Sequence, residues 1–324
     1  MKRYKKIIAG VAALVLSGYF LYKQNNDLEI STYEFCDNKI PEAFDGFKIL
    51  QISDLHSKSF GKDNRDLISA VNSQDPDIIV VTGDIYYSYK DRMEESIRVL
   101  RKLARDYPVY FVSGNHEQRD HNFKIHMSWL KTYGIKIIDN DFEEIETCTD
   151  NQDVQFEKSE NVKESENAKK DKNAQNYSDM EMIKDGEKRD NKKTEKIAIC
   201  GLKDPSFYRK PLRYVIFEQK AKSLRKKIPK DMFTILLSHR QHLIDIYADA
   251  GYDLIFSGHA HGGQMRFFGR GLIAPNEGLF PYYTGGVYKQ KKATLVVSRG
   301  LGRTVFFTRL FNKPEIVVVS LRSI

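Results

Sequence analysis

Cysteine is scarce in this chain of 324 residues, and its three copies, Cys36, Cys148 and Cys200, share no Cys-x-x-Cys or other zinc-type spacing. An odd, scattered set builds neither a disulfide framework nor a thiolate metal site. Cys200 closes the apolar run Ile197-Ala198-Ile199 just before Gly201, a place for a small buried strand residue rather than an exposed nucleophile. A strong excess of one charge is lacking too: 52 Lys and Arg stand against 44 Asp and Glu, a formal net charge of +8. That balance is too mixed to mark a nucleic-acid partner, and no specific nucleic acid is expected. The amino terminus has no twin Arg, no lipid-accepting Cys and no convincing small-x-small cleavage site.

What the amino terminus does have is Lys2, Arg3, Lys5 and Lys6, followed by an uncharged run over residues 7–22 that Lys23 closes. This is the pattern of an export or anchoring signal. The run is slightly shorter than the roughly 17 to 25 residues of a spanning helix and slightly long for a signal-peptide core. The missing cleavage site, together with Tyr19, Phe20 and Tyr22 as an interfacial aromatic belt, favours an uncleaved single-pass anchor over residues 1–25. A cleaved and secreted form is the alternative. The positive-inside rule leaves the first six residues in the cytoplasm and sets everything after Lys23 outside, as an extracytoplasmic domain on the cell membrane.

From residue 47 onward, short apolar runs ending in Gly, Asp or His alternate with helix-like segments, the pattern of βαβ units in an α/β fold. Strands are expected over 47–52, 78–81, 109–112, 233–237 and 254–256, with helices over 65–74 and 92–104. Between about residues 147 and 196 the composition turns to Asp, Glu, Lys, Asn and Ser, so a disordered insertion is expected to interrupt one domain over 26–324. Its flanks, 142–146 and 196–201, read as two adjacent strands with an overgrown loop between them.

Five motifs stand where these strands end: Asp54-Leu55-His56, Gly83-Asp84, Gly114-Asn115-His116-Glu117, Ser238-His239 and Gly258-His259-Ala260-His261. A parallel sheet delivers its strand ends to one edge, so dispersed carboxylates and imidazoles can converge there. In Asp-x-His and His-x-His the alternate residues of an extended backbone point the same way, so both side chains can reach one metal cluster. Alone, a strand-end Asp is usually a turn former or cap and a lone His a satisfied polar residue, which is the reading for His121, His126 and His242 on presumed helices. Five such motifs together are another matter. Carboxylate, carboxamide and imidazole donors suit Mn, Fe, Zn or similar divalent ions without selecting among them.

In order and content the motifs resemble the calcineurin-like metallophosphoesterase superfamily over about residues 47–321, apart from the insertion. The resemblance implies an α/β/β/α sandwich with its metal site at the strand ends. It also implies that Asp54, His56, Asp84 and His261 hold one metal, and Asp84, Asn115, His239 and His259 the other. His116 would be the catalytic histidine and Glu117 a carboxylate that orients the turn. Tyr87 sits where purple acid phosphatases have a Tyr ligand, but His56 fills that coordination space here.

Gly262-Gly263-Gln264-Met265-Arg266, the segment 274–281, Ser298-Arg299-Gly300-Leu301-Gly302 and the segment 309–315 resemble the bacterial membrane-anchored or exported branch, around UDP-2,3-diacylglucosamine pyrophosphatase-like phosphodiesterases. The chain departs from that branch in its insertion and in Arg240-Gln241, where a Pro is frequent; neither departure is expected to touch a ligand. The expected reaction is hydrolysis of a phosphodiester or pyrophosphate in a lipid-linked or cell-envelope substrate. The alternatives are a broad phosphomonoesterase or nuclease and, in a different class, an inactive metal-site binding or sensor module. Arg299 and Arg303 are candidates to clamp a second phosphate or a carboxylate, or else are solvated surface residues. The stretch 278–288 reads as an apolar lip beside the site or as a packed loop, and the basic stretch 210–230 as a solvated helix face or a membrane-surface contact. The membrane is reached through the amino-terminal helix, and no protein partner is named.

Overall fold

The computed structural model describes residues 2–87, 93–148, 194–275, 277–302 and 308–324. The chain opens with α1 (Lys2–Asn26), an apolar helix whose side chains pack on almost nothing, and turns at once into β1 (Glu29–Asp37). Then come β2 (Lys48–Ile52), α2 (Arg65–Asn72), β3 (Ile78–Val81), α3 (Met93–Leu103), β4 (Val109–Phe111), the single turn α4 (Asn115–Gln118), α5 (Phe123–Thr132) and β5 (Lys136–Ile137). The second half runs through β6 (Asp141–Cys148), β7 (Thr194–Leu202), α6 (Arg213–Arg225), β8 (Thr234–Arg240), α7 (Ile244–Ala250) and β9 (Leu254–Gly258). Two small hairpins follow, β10 (Arg266–Phe267) with β11 (Arg270–Gly271) and β12 (Ile273–Ala274) with β13 (Gly278–Leu279), then β14 (Gly286–Gln290), β15 (Ala293–Val297) and β16 (Glu315–Ser323).

The long strands form two six-stranded sheets, in the orders β1-β16-β2-β3-β4-β5 and β14-β15-β9-β8-β7-β6. The runs β2 to β5 and β7-β8-β9-β15 are parallel, because each step between neighbours is a helical crossover or a long return. Period-two patterning makes the layers. Ile49, Ile78, Val80 and Val112 of one sheet meet Ile199, Ile235, Leu237 and Phe256 of the other in a core between the sheets. The alternate residues Leu50, Ile52, Ile79 and Val81 face α2, α3 and α5, while Leu236 and Ile255 face α6 and α7. The result is the expected α/β/β/α sandwich, with the parallel strands buried on both faces as their continuous apolar runs require.

The expected strands and the helices α2 and α3 stand within a few residues of their expected places. The flanks of the insertion pair antiparallel as β6 and β7, but both strands run further than expected, to Cys148 and from Thr194, with those two residues directly opposite. The disorder expected between them falls on residues 149–193, outside the described residues. His121 lies in a turn rather than on a helix, His242 is on a one-turn 3-10 helix over Gln241–Leu243, and His126 is on α5 and paired with Asp120. The basic stretch does form α6, yet Arg225 is not on its open face: it turns inward and donates to the carbonyls of Gly251, Ile228, Pro229 and Lys230, closing the helix end. Cys200 is buried in β7, where burial pushes its thiol pKa up and leaves it inert.

Because Cys148 and Thr194 face each other, a two-residue Asn-Gly turn can join them. Replacing residues 149–193 by that turn is expected to preserve cooperative unfolding and to raise the urea midpoint, since each halving of loop length returns about 0.6 kcal/mol. A broadened or lost transition would show that the segment belongs to the folding unit.

Candidate metal centre

All five motifs lie where parallel strands end. Asp54 and His56 follow β2, Asp84 follows β3, Asn115 and His116 follow β4, His239 is the last residue but one of β8, and His259 and His261 follow β9. Both sheets therefore deliver the same ends to one place. Gln51, set in the apolar layer between the sheets, donates at 2.9 Å to Thr82 Oγ1 and at 2.9 Å to the Ser257 carbonyl, which ties the two rims together.

The convergence is not made by extended backbone. Asp54 (φ 50), His56 (φ 48), Asp84 (φ 53), His259 (φ 68) and His261 (φ 49) are all in the left-handed region, which corrects the expectation that alternate residues of Asp-x-His and His-x-His simply point alike. Each such residue carries strain on the order of 1–2 kcal/mol. The bonds Asp54 N to Gly83 O, His56 N to Asp84 O and Ser57 N to Ile85 O hold the first two motifs side by side. Glycine gives the necessary clearance: a Cβ on Gly114 would lie 2.3 Å from Asp84 Oδ1, and one on Gly258 1.9 Å from Ser53 Oγ.

Asp84 is the hub. Its Oδ1 accepts from the backbone N–H of His116 at 2.8 Å, which turns Oδ2 inward to lie 3.1 Å from His239 Nε2, 3.9 Å from His56 Nε2 and 4.0 Å from His116 Nε2. On one side His56 Nε2 and His261 Nε2 are 3.1 Å apart, with Asp54 Oδ1 3.9 Å and 3.5 Å from them. On the other side His239 Nε2 and His259 Nδ1 are 3.1 Å apart. Thus Asp54, His56 and His261 can hold one cation, Asp84, His239 and His259 another, and His116 comes within reach of His56 and Asp84.

The donor set fits such ions. Two ligand atoms each about 2.1 Å from a shared cation are themselves about 3 Å apart, the spacing found for His56 with His261 and for His239 with both His259 and Asp84. Supporting bonds aim the lone pairs: the Thr82 carbonyl takes the Nδ1 proton of His239 at 2.7 Å, and Ser53 Oγ donates to Asp54 Oδ2 at 2.6 Å, leaving Asp54 Oδ1 for the cluster.

Protein groups alone compensate charge unevenly in the cluster: burial would raise the Asp84 carboxyl, but the imidazoles of His239, His116 and His56 outweigh it and hold it well below the usual carboxylate range, while the other groups are less well served. Burial pushes the Asp54 carboxyl up to about 6 and lowers His56 to about 3; His259, His261 and His116 are lowered by burial as well. At His239 burial is outweighed by the Asp84 carboxylate, which raises the imidazole to about 10. Glu117 lies wholly buried behind the hub. Its oxygens accept from the N–H groups of Asp84 (2.9 Å), Ile85 (2.8 Å) and Gly114 (2.8 Å), while burial pushes its pKa up to about 8. It binds the Asp84 turn to the Asn115 turn.

Not every expected residue faces the crevice. Arg299 is engaged by Glu315 and Glu29, at 2.8 and 2.7 Å, and its backbone N–H also meets Glu315, so this candidate clamp braces β1 against β16 instead. Arg303 lies outside the described residues. Tyr87 places its ring centroid 4.5 Å from that of His116 and 5.1 Å from that of His56, at the edge of the cluster.

Arg240, expected to touch no ligand, lies among them. Its guanidinium holds Asp204 through Nε (2.8 Å) and Nη2 (3.3 Å), sets Nη1 3.2 Å from His259 Nε2, and reaches within 3.5 Å of Asn115 Oδ1. Both charges are buried, Arg240 at 6% and Asp204 at 0% exposure. Arg240→Met and Asp204→Asn are each expected to destabilise the fold by about 3–5 kcal/mol, because each strands a buried charge. The double variant should lose less than the sum, with a coupling of about 1 kcal/mol or more in urea unfolding. Strict additivity would mean that the two side chains act separately.

A family model for calcineurin-like phosphoesterase matches residues 47–263. Similar proteins include the uncharacterized metallophosphoesterase YkuE of Bacillus subtilis, 26% identical over 315 residues that make up 94% of this chain and 90% of that relative. A transmembrane protein with metallophosphoesterase domain from Danio rerio is 25% identical over 136 residues, 41% of this chain and 31% of its own. Among solved structures, a dimetal phosphatase from Danio rerio aligns at 12% identity over 79% of this chain and 88% of that one, with a TM-score of 0.42. With the family model spanning the whole metal cluster, the chain belongs to the calcineurin-like phosphoesterase family and is a metal-dependent phosphoric ester hydrolase.

Proposed function

We propose that the chain cleaves a phosphodiester or pyrophosphate bond of a lipid-linked or cell-envelope substrate at a centre for two divalent ions. The observation that carries this reading is the inward Oδ2 of Asp84, flanked by one pair of imidazole nitrogens 3.1 Å apart on each side. Asp54, His56, Asp84 and His261 would hold one ion and Asp84, Asn115, His239 and His259 the other, with Asp84 shared. Such ions, when bound, supply Lewis acidity that neutralises an anionic ester and makes water a competent nucleophile at neutral pH.

The chain's own part is to fix geometry and move a proton. Thr82, Ser53 and Glu117 lock the orientation of His239, Asp54 and the Asp84 turn. His116 holds its Nε2 toward the hub from the rim of the cluster, and burial keeps its pKa below that of a free imidazole. Its position, not this shift, makes it the group to meet the departing oxygen: an anionic ester bound beside the ring would restore the proton that burial disfavours, and the ring would then give that proton to the leaving group or stabilise charge on a phosphoryl oxygen. The lipid-linked substrate is supported by α1: read as a single-pass anchor with the domain on the extracytoplasmic side, it ends against the rim of the centre, where Asn25 bonds the backbone of Arg309 and Lys58 reaches the Asn25 carbonyl.

Asp84→Ala is expected to lose both ions by elemental analysis and to be inactive. Retention of both ions with near-normal turnover would remove Asp84 from the centre. His116→Gln should keep its metal content while turnover falls by a factor on the order of 10² to 10⁴; loss of metal instead would make His116 a ligand. Bis-p-nitrophenyl phosphate should be turned over in preference to p-nitrophenyl phosphate, and the reverse preference would favour a phosphomonoesterase.

A further inference from the structure

The hairpin of β10 and β11 puts an aromatic residue where folding alone has no use for one. Its tip is Phe268-Gly269, both with positive φ (49° and 79°), a turn that favours Asn or Gly at each position. Phe268 is nonetheless there, in left-handed backbone with its side chain fully in water, at 106% exposure. A strained backbone and an unburied ring at the same residue point to a surface that is covered in use.

The surroundings say what covers it. Phe267, half-exposed, lies with its ring centroid 6.1 Å from that of Phe311, and Phe311 lies 5.8 Å from Phe20. Phe20 belongs to the apolar run of α1, at the end that leads into the domain. If α1 crosses a bilayer, Phe311 is at the depth of its aromatic belt, because it meets Phe20, and Phe267 stands next to Phe311. Phe280, also exposed and at positive φ, is bonded through its N–H to the Leu272 carbonyl at the base of the same hairpin. Arg266 and Arg270 flank the tip, Arg270 exposed, as cations do beside interfacial aromatics. The hairpin begins five residues after His261, and Asn312, next to Phe311, donates to the His261 carbonyl at 2.8 Å, which ties the patch to the backbone of the metal centre.

We propose that Phe267, Phe268, Phe280 and Phe311 dip into the interfacial layer of the bilayer crossed by α1, and that this seats the metal centre on the lipid headgroups. The substrate class is then a phosphate ester carried on a membrane lipid, presented from the bilayer surface. The proposal rests on the reading of α1 as a spanning anchor.

The test uses the full chain in vesicles of phosphatidylcholine and phosphatidylglycerol, with acyl chains either plain or brominated near the headgroup. The native Trp129, on α5, is the internal reference. F268W and, separately, Y19W are placed in a Trp129→Phe background. F268W emission is expected to fall about twofold with brominated lipid, as Y19W emission does in the belt, while native Trp129 is nearly unchanged. Quenching of Y19W without F268W would overturn the docking face and leave the anchor standing. Quenching of neither would overturn the anchor, and the docking face with it. Quenching of native Trp129 as strong as that of F268W would overturn the docking face too, since lipid contact would not be specific to the hairpin.

Discussion

The structure turns on two carboxylates, Asp54 and Asp84, buried at 0% and 1% exposure among imidazoles. An anion so far from water must be met by hydrogen bonds and positive charge, or it neutralises. Much of the architecture around the site does this. Backbone N–H groups of His116 and His259, the Ser53 hydroxyl and the Glu117 brace are all fixed by the ends of strands that the two apolar cores hold in register. Five residues stay in left-handed backbone because these contacts over-determine them. The remaining need for charge is what makes the cluster a cation site rather than a tight polar core.

How much of this could be read from sequence depended on how local the cause was. Apolar runs such as 78–81 and 254–256 end abruptly in Gly-Asp and Ser-Gly-His, so the strand ends and their motifs were legible, and so were the paired flanks of the insertion. The local turns at Asp54, His56, His259 and His261 were not, because alternation describes extended chain and these residues leave it. Arg240 was missed because its partners Asn115, Asp204 and His259 come from separate parts of the chain, and Asp204, which holds it most tightly, lies in no visible motif. Arg299 and Arg309 look alike in sequence; only packing shows that one pairs with Glu315 and Glu29 and the other meets carbonyls.

Arg240 also bears on the electrostatics of the His259 side. A guanidinium only donates, so its contact with His259 Nε2 uses a lone pair, which leaves the proton of a neutral ring on Nδ1. That is the nitrogen turned toward His239. A neutral His259 therefore cannot both accept from Arg240 at Nε2 and offer a lone pair at Nδ1 to a cation, and the bidentate hold of Asp204 keeps Arg240 in place whichever nitrogen carries the proton.

Arg309 joins the amino-terminal helix to the same site. It is fully buried, and burial lowers its pKa to about 9 even though Asp54 pulls the other way. Its guanidinium donates to the carbonyls of Arg299, Gly300 and Gly302, holding a loop whose Leu301 and Gly302 N–H groups close on the carbonyls of Ser53 and Asp54. Its own backbone N–H and carbonyl are bonded by the Asn25 side chain at the end of α1. A displacement of α1 relative to the domain thus acts on Arg309 first, then on the loop, and then on the turn that aims Asp54. The apolar amino-terminal helix and the carboxylate at the first motif are separated by one side chain and one loop.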